Sequence, residues 1–91
     1  MSLFVTIHRA PGMSREEFQQ NAGDVLESKH ATMRHVFVNV FEGFIVTVYE
    51  ADDAASVERE FERLGFPFEE THEVQINMSR EQLQAMVESH S

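Results

Sequence analysis

Ninety-one residues carrying a formal net charge of −9, from 16 acidic against 7 basic side chains, describe one small acidic domain. That charge excludes a nucleic-acid binder and a protein drawn to an anionic membrane surface. Zero cysteines exclude disulfide staples, thiol catalysis and zinc–thiolate sites, and fit a reducing compartment.

Leu3 to His8 alternates, with Leu3, Val5 and Ile7 on one side and Phe4, Thr6 and His8 on the other, as a half-buried strand does. Met1-Ser2-Leu3 leads into that strand rather than into a signal peptide. No apolar run approaches the roughly 18 residues of a membrane span, so a cytoplasmic protein is expected. Pro11-Gly12 ends the strand. Ser14 as N-cap, Glu17 as its capping-box partner and Met13 stapled to Phe18 then start a helix. Phe18, Ala22, Val25 and Leu26 keep helical spacing and are expected to form its buried stripe. Gly23 weakens this helix by about 1 kcal/mol relative to alanine without abolishing it.

Met33 to Glu50 is rich in Val, Phe, Ile, Thr and Tyr and is broken at Glu42-Gly43, which reads as a β-hairpin. A two-residue loop would set Phe41 against Phe44 and His35 against Glu50. A three-residue loop, Phe41-Glu42-Gly43 with the glycine left-handed, sets Val40, Val38 and Val36 opposite Phe44, Val46 and Val48. The other side then pairs Asn39 with Ile45, Phe37 with Thr47 and His35 with Tyr49. The three-residue register sorts the residues into a dry side and a mixed one and is the expectation here.

Asp52 or Asp53 caps a second helix with Ala54, Val57, Phe61 and Leu64 on its apolar side, closed by Gly65. Phe66-Pro67-Phe68 is a hydrophobic turn. Glu70 to Asn77 follows as the last strand, with His72, Val74 and Ile76 on one side and Thr71, Glu73 and Gln75 on the other. Met78-Ser79-Arg80-Glu81-Gln82-Leu83 repeats the capped, stapled start of the first helix, and Leu83, Met86 and Val87 form its stripe.

The order β-α-β-β-α-β gives an α+β, ferredoxin-like sandwich over residues 1–77. Its four-stranded antiparallel sheet is expected in order 4-1-3-2 with both helices on one side, and 78–91 add a helical extension. The helices are expected to cover Leu3, Val5, Ile7, Val36, Val38, Val40, Val46, Val48, Val74 and Ile76. Phe4, Thr6, His8, His35, Phe37, Ile45, Thr47, Tyr49, Thr71, Glu73 and Gln75 would line the open side. The last helix, a second subunit, or both are expected to cover it.

The chain resembles a family of small ferredoxin-like domains of unknown function that includes an actinobacterial nickel-binding protein. The resemblance runs from Leu3 to about Val74. It rests on Leu3-Phe4 with Pro11-Gly12, the Ser14-Arg15-Glu16-Glu17-Phe18 helix start and Met33-Arg34-His35-Val36-Phe37. Tyr49-Glu50-Ala51-Asp52, the Gly65-Phe66-Pro67 turn and His72-Glu73-Val74 complete it. Met33 departs from the family's aromatic, His8 stands where a basic residue follows a glutamate (here Ile7), and the segment after Asn77 exceeds the family domain. The resemblance implies a homodimer and binding of a divalent metal such as nickel, with no ligand set carried over by motif.

The residues themselves offer four candidate ligands: His8, His35, Tyr49 and Glu73. His35 opposite Tyr49 is either a cross-strand imidazole–phenol contact or a ligand or acid–base pair. His8 with Glu73 on the neighbouring strand is either a polar pair at a sheet end or a seat for nickel or zinc, completed by waters or a partner. His72 is assigned to the helix side, His30 and His90 to helix ends, and Glu58 to Glu62 to a solvated helix surface around Phe61. Hydrolase and nucleotide-binding motifs are missing. Three readings stay open: a small metal-binding protein, a cofactor-free monooxygenase- or isomerase-like enzyme with a pocket between sheet and helix, and a dimer with no small-molecule site.

Overall fold

A computed structural model describes residues 1–89. Its elements are β1 (Ser2–Arg9), α1 (Arg15–Glu27), β2 (Thr32–Asn39), β3 (Phe44–Ala51), α2 (Ala54–Leu64), β4 (Glu70–Val74) and α3 (Arg80–Ser89). All strand pairs are antiparallel and the order is β2-β3-β1-β4, which is the expected 4-1-3-2 counted from the other edge. The architecture is α+β and ferredoxin-like. His90, assigned to a helix end from the sequence, lies outside the described residues.

The helix boundaries follow the local chemistry. The Ser14 hydroxyl accepts from the Glu17 N–H, and the Asp53 carboxylate from the Ser56 N–H. Gly65 closes α2 at φ 68°, its N–H donating to the Glu62 carbonyl while the Phe66 N–H reaches the Phe61 carbonyl. In α1 the stripe is narrower than expected. Phe18, Ala22 and Val25 are half-buried, Leu26 is 67% exposed, and no residue of α1 is fully buried.

The hairpin corrects the expected register by one residue. Asn39 pairs with Phe44, Val38 with Ile45 and Val36 with Thr47, so the loop holds four residues, Val40 to Gly43. A bulge at Arg34 then places Met33 opposite Tyr49 and His35 opposite Val48. The loop chemistry explains the shift. The Asn39 side chain accepts from the Glu42 N–H, a local turn that uses four residues. Gly43 has positive φ, as expected, and its carbonyl accepts from the Ala10 N–H at 2.6 Å. A Cβ at Gly43 would lie 2.7 Å from the Pro11 backbone, so only glycine lets hairpin tip and β1–α1 turn meet.

With that register the expected sides of β1 and β3 exchange. Phe4, Thr6, His8, Ile45, Thr47, Tyr49 and Ala51 are buried beneath the helices, while Leu3, Val5, Ile7, Phe44, Val46 and Val48 lie on the open side, half-covered. Val36 and Val38 face the helices as expected, and His35 and Phe37 the open side. On β4 the expectation is also reversed: Thr71 and Glu73 share the side of Thr6 and Phe4. His72 pairs with Val5 on the open side, exposed and hydrogen-bonded to Glu70 at 3.1 Å. The core is aromatic, with Phe4, Tyr49, Val57 and Phe61 closed by Met33, Leu64, Phe66 and Phe68. Aromatic rings on β1, β3 and α2 fill the gap between sheet and helix better than the aliphatic row would.

β4 ends at Val74, three residues earlier than expected, and every described residue from Gln75 to Ser89 is exposed. The α3 cap forms as read, with Ser79 and Gln82 bonded reciprocally at 2.8 and 3.1 Å. Its stripe does not pack on this chain's own sheet, which corrects one of the two placements expected for it.

Candidate functional site

Alternation along β1 and β3 sends Thr6 and His8, and Thr47 and Tyr49, toward the helices, and pairing sets Thr6 directly beside Thr47. The Phe66-Pro67-Phe68 turn, forced out of helix by Gly65 and Pro67, brings a backbone carbonyl over this group. His8 Nδ1 donates to that Pro67 carbonyl at 2.9 Å, and Nε2 lies 2.8 Å from the Thr6 hydroxyl, which in turn is hydrogen-bonded to the Thr47 hydroxyl. Phe61 and Phe66 pack edge-on against the imidazole at 4.5 and 5.2 Å.

The protons in this group can be placed by elimination. Burial lowers the His8 pKa, against a smaller upward pull from the Pro67 carbonyl, and keeps the ring neutral. A carbonyl only accepts, so Nδ1 carries the ring proton and Nε2 is an acceptor. Thr6 must therefore donate to Nε2, and Thr47 must donate to Thr6. The hydrogen bonds run one way: Thr47 to Thr6 to His8 to Pro67. Beside them Thr71, paired with Thr6, holds a buried hydroxyl oxygen with no partner among the described residues.

A cavity of about 50 Å³ opens next to this group, between the sheet and the two helices. His8, Thr47, Tyr49 and Phe61 line its floor and wall, and Phe18, Val25 and Leu64 roof it. Tyr49 packs edge-on against Phe61 at 5.0 Å, and its hydroxyl takes no partner among the described residues. Burial, aided by the Glu60 charge and opposed by Arg63, pushes its pKa up to about 12, so the phenol keeps its proton. The cavity's own surface is almost wholly apolar; the protonated Tyr49 phenol and the Thr47 oxygen, whose proton is committed to Thr6, belong to its lining residues.

Glu60 is wholly buried on α2, between Val57 and Phe61. Burial alone would raise its pKa, but hydrogen bonds from Arg63 and the His30 N–H, with the Arg63 charge, outweigh it and lower the carboxyl. Arg63 holds Glu60 at 2.6 Å and also reaches Glu27 and the Asp24 carbonyl of α1, at 3.3 and 2.9 Å. This ion pair fastens the end of α1 to α2 at the rim of the cavity roof.

Of the four residues picked out from the sequence, His8 and Tyr49 meet at the cavity. His35 is exposed on the opposite side of the sheet, its ring 4.4 Å from Phe37, so the expected His35–Tyr49 pair does not exist. Glu73 is exposed opposite Phe4, four positions along the strand from His8 and roughly 13 Å away at strand rise. Among the described residues no group of three or more His, Asp or Glu side chains could hold a metal ion. Thr6, Thr47 and the Glu60–Arg63 pair were not picked out as site residues. Glu60 was assigned to solvent, although Val57, Glu60, Phe61 and Leu64 share one helical stripe and Arg63 follows at i+3.

No family model matches this chain, and no curated protein matches it either. Among solved structures the chain is similar to SCO4226 from Streptomyces coelicolor A3(2). The TM-score is 0.74 at 23% identity, covering 85% of this chain and 100% of the other. That likeness supports the fold.

Proposed function

We propose that this protein is a homodimeric ferredoxin-like enzyme without a cofactor. Its substrate is a small, mainly apolar molecule bearing one hydroxyl, held between the sheet and α1. The observation that supports the reading is the one-way chain from Thr47 to a neutral, buried His8 at the edge of an apolar cavity that Thr47 and Tyr49 also line. With α1 moved outward, a bound alcohol or phenol would lay its apolar part on the cavity wall, donate to Thr47 and accept from Tyr49. In a deprotonation its proton passes to Thr47, the Thr47 proton to Thr6 and the Thr6 proton to His8 Nε2, leaving an oxyanion beside the Tyr49 O–H. The cavity as it stands has room for little more than water. Because α1 buries no residue fully, its outward movement is the way in for a larger guest.

The dimer is supported by the open side of the sheet, where Leu3, Val5, Ile7, Val46 and Val48 surround a 57% exposed Phe37. Light scattering at micromolar concentration is expected to return twice the chain mass, and a monomer mass would remove this part of the reading. For the site, phenol titrated into labelled protein is expected to shift the amide signals of Thr47, Tyr49, Phe61 and α1. Anisole, which cannot donate to Thr47, is expected to bind more weakly. Silence from both at these residues would sink the enzyme reading. A stoichiometric heat of nickel binding to tag-free protein, lost in His35→Ala, would favour a metal-binding role instead.

A further inference from the structure

Two apolar surfaces of this chain lack a cover within it, and they are of different shape. One is the open side of the sheet. The other is the stripe of α3, with Leu83 49%, Met86 43% and Val87 60% exposed, preceded by Ile76 and Met78, both exposed as well. A ten-residue helix is marginal in water on its capping alone, and its stability comes from burying such a stripe. Here the helix is capped at Ser79 yet held away from the body. The radius of gyration is 15.2 Å, where a compact chain of this length has about 12 Å, and the longest axis is 49 Å.

We infer that α3 is an exchanged arm: in the dimer proposed above, on which this inference rests, the stripe of each copy docks on the open sheet side of the other. The area available argues for a second copy as occupant. Four strands at about 4.8 Å spacing and at most about 26 Å long present a planar area of roughly 400–500 Å². A stable pair buries about 800 Å² per partner. The flat outline of the sheet side is smaller than that accessible area, and an arm about 15 Å long and 10 Å wide adds its own stripe to what each copy buries while covering part of the other's sheet.

The absence of cysteine from the sequence makes a clean test possible in the full-length protein. A Leu83→Cys chain is mixed with a Phe37→Cys chain and oxidised. No disulfide within one chain can form in that mixture, so a cross-linked pair of unlike chains, in excess of what either variant forms alone, is expected from exchange. Leu83→Asp with Val87→Asp, at positions already exposed in the single chain, is expected to weaken the dimer at least about tenfold while each chain stays folded by circular dichroism. A wild-type monomer would overturn the dimer and the arm together. A wild-type dimer whose affinity ignores the two aspartates and which gives no unlike cross-link would overturn the arm alone. So would a Leu83→Cys/Phe37→Cys double variant that closes its disulfide within a monomer.

Discussion

The two sides of the sheet invert the usual expectation about which residues go inside. The covered side carries Thr6, His8 and Thr47, and the half-exposed side carries Leu3, Val5, Ile7, Val46 and Val48. On the covered side each of these polar groups has a partner, and the hydrogen bonds offset the cost of burying them. The aliphatic side loses nothing if it is buried later, against another surface. Polarity alone therefore does not identify the inner side of a strand. Burying a polar group is costly chiefly where it has no partner, as for the Thr71 hydroxyl beside Thr6.

The difference between the two sides can be tested, beginning where the largest effect is expected. Arg63→Met leaves Glu60 buried without its counter-charge and is expected to cost about 3–5 kcal/mol in urea unfolding. Glu60→Met combined with Arg63→Met should recover most of that loss, and a single variant as stable as wild type would show that Glu60 finds water. Thr6→Val cuts the chain in its middle, leaving His8 Nε2 and the Thr47 hydroxyl unmatched, and should cost about 1–3 kcal/mol. Gly43→Ala should cost a similar ~1–3 kcal/mol, through positive φ and the clash with Pro11. Gly12→Ala, also at positive φ but with open space around it, should cost less.

A smaller effect is expected from acid. Folding lowers the His8 pKa, so above about 6.5 the ring is neutral folded or unfolded and contributes no pH dependence. As the pH falls below 6.5 the unfolded chain takes up the proton first, and stability drops until the lower, folded pKa is reached. A His8→Gln variant should lack this slope, while the losses from Asp53 and Glu60, whose carboxyls are also lowered, should appear only at more acid pH. The smallest effect belongs to the open side. Val46→Thr should change the stability of the single chain by no more than about 0.5 kcal/mol while weakening self-association. A large loss of monomer stability from Val46→Thr would mean that the two sides are not as different as their hydrogen bonding implies.

The order of elements, the Ser14 N-cap, the reciprocal Ser79–Gln82 cap, the Gly65 stop and the left-handed Gly43 were legible in the sequence, the caps and glycines because each depends on neighbours within four residues. The side of the sheet was not. A single extra loop residue, set by the Asn39 side chain and by Pro11 some thirty residues upstream, reverses the inward direction of β3. His8 and Tyr49 were recognisable as chemistry-bearing residues. Their true neighbours were not, because the Pro67 carbonyl that fixes the His8 tautomer comes from a turn 59 positions away. His35 and Tyr49 are separated for a like reason: they lie on adjacent strands, and an odd shift of register puts them on opposite sides.

The strand order also bears on how the chain is made. β1 is synthesised before both of the strands it pairs with and is one of the two inner strands of the sheet, hydrogen-bonded on one edge to Phe44–Ala51 and on the other to Glu70–Val74. Neither edge has a mate until those two strands have followed it. During that interval Leu3-Phe4-Val5-Thr6-Ile7 is an unpaired β-prone segment with apolar residues on both sides, the composition that nascent-chain chaperones bind and that aggregates when they do not. The β2–β3 hairpin, whose pairings are local, can assemble without it and then serve as the template on which β1 closes.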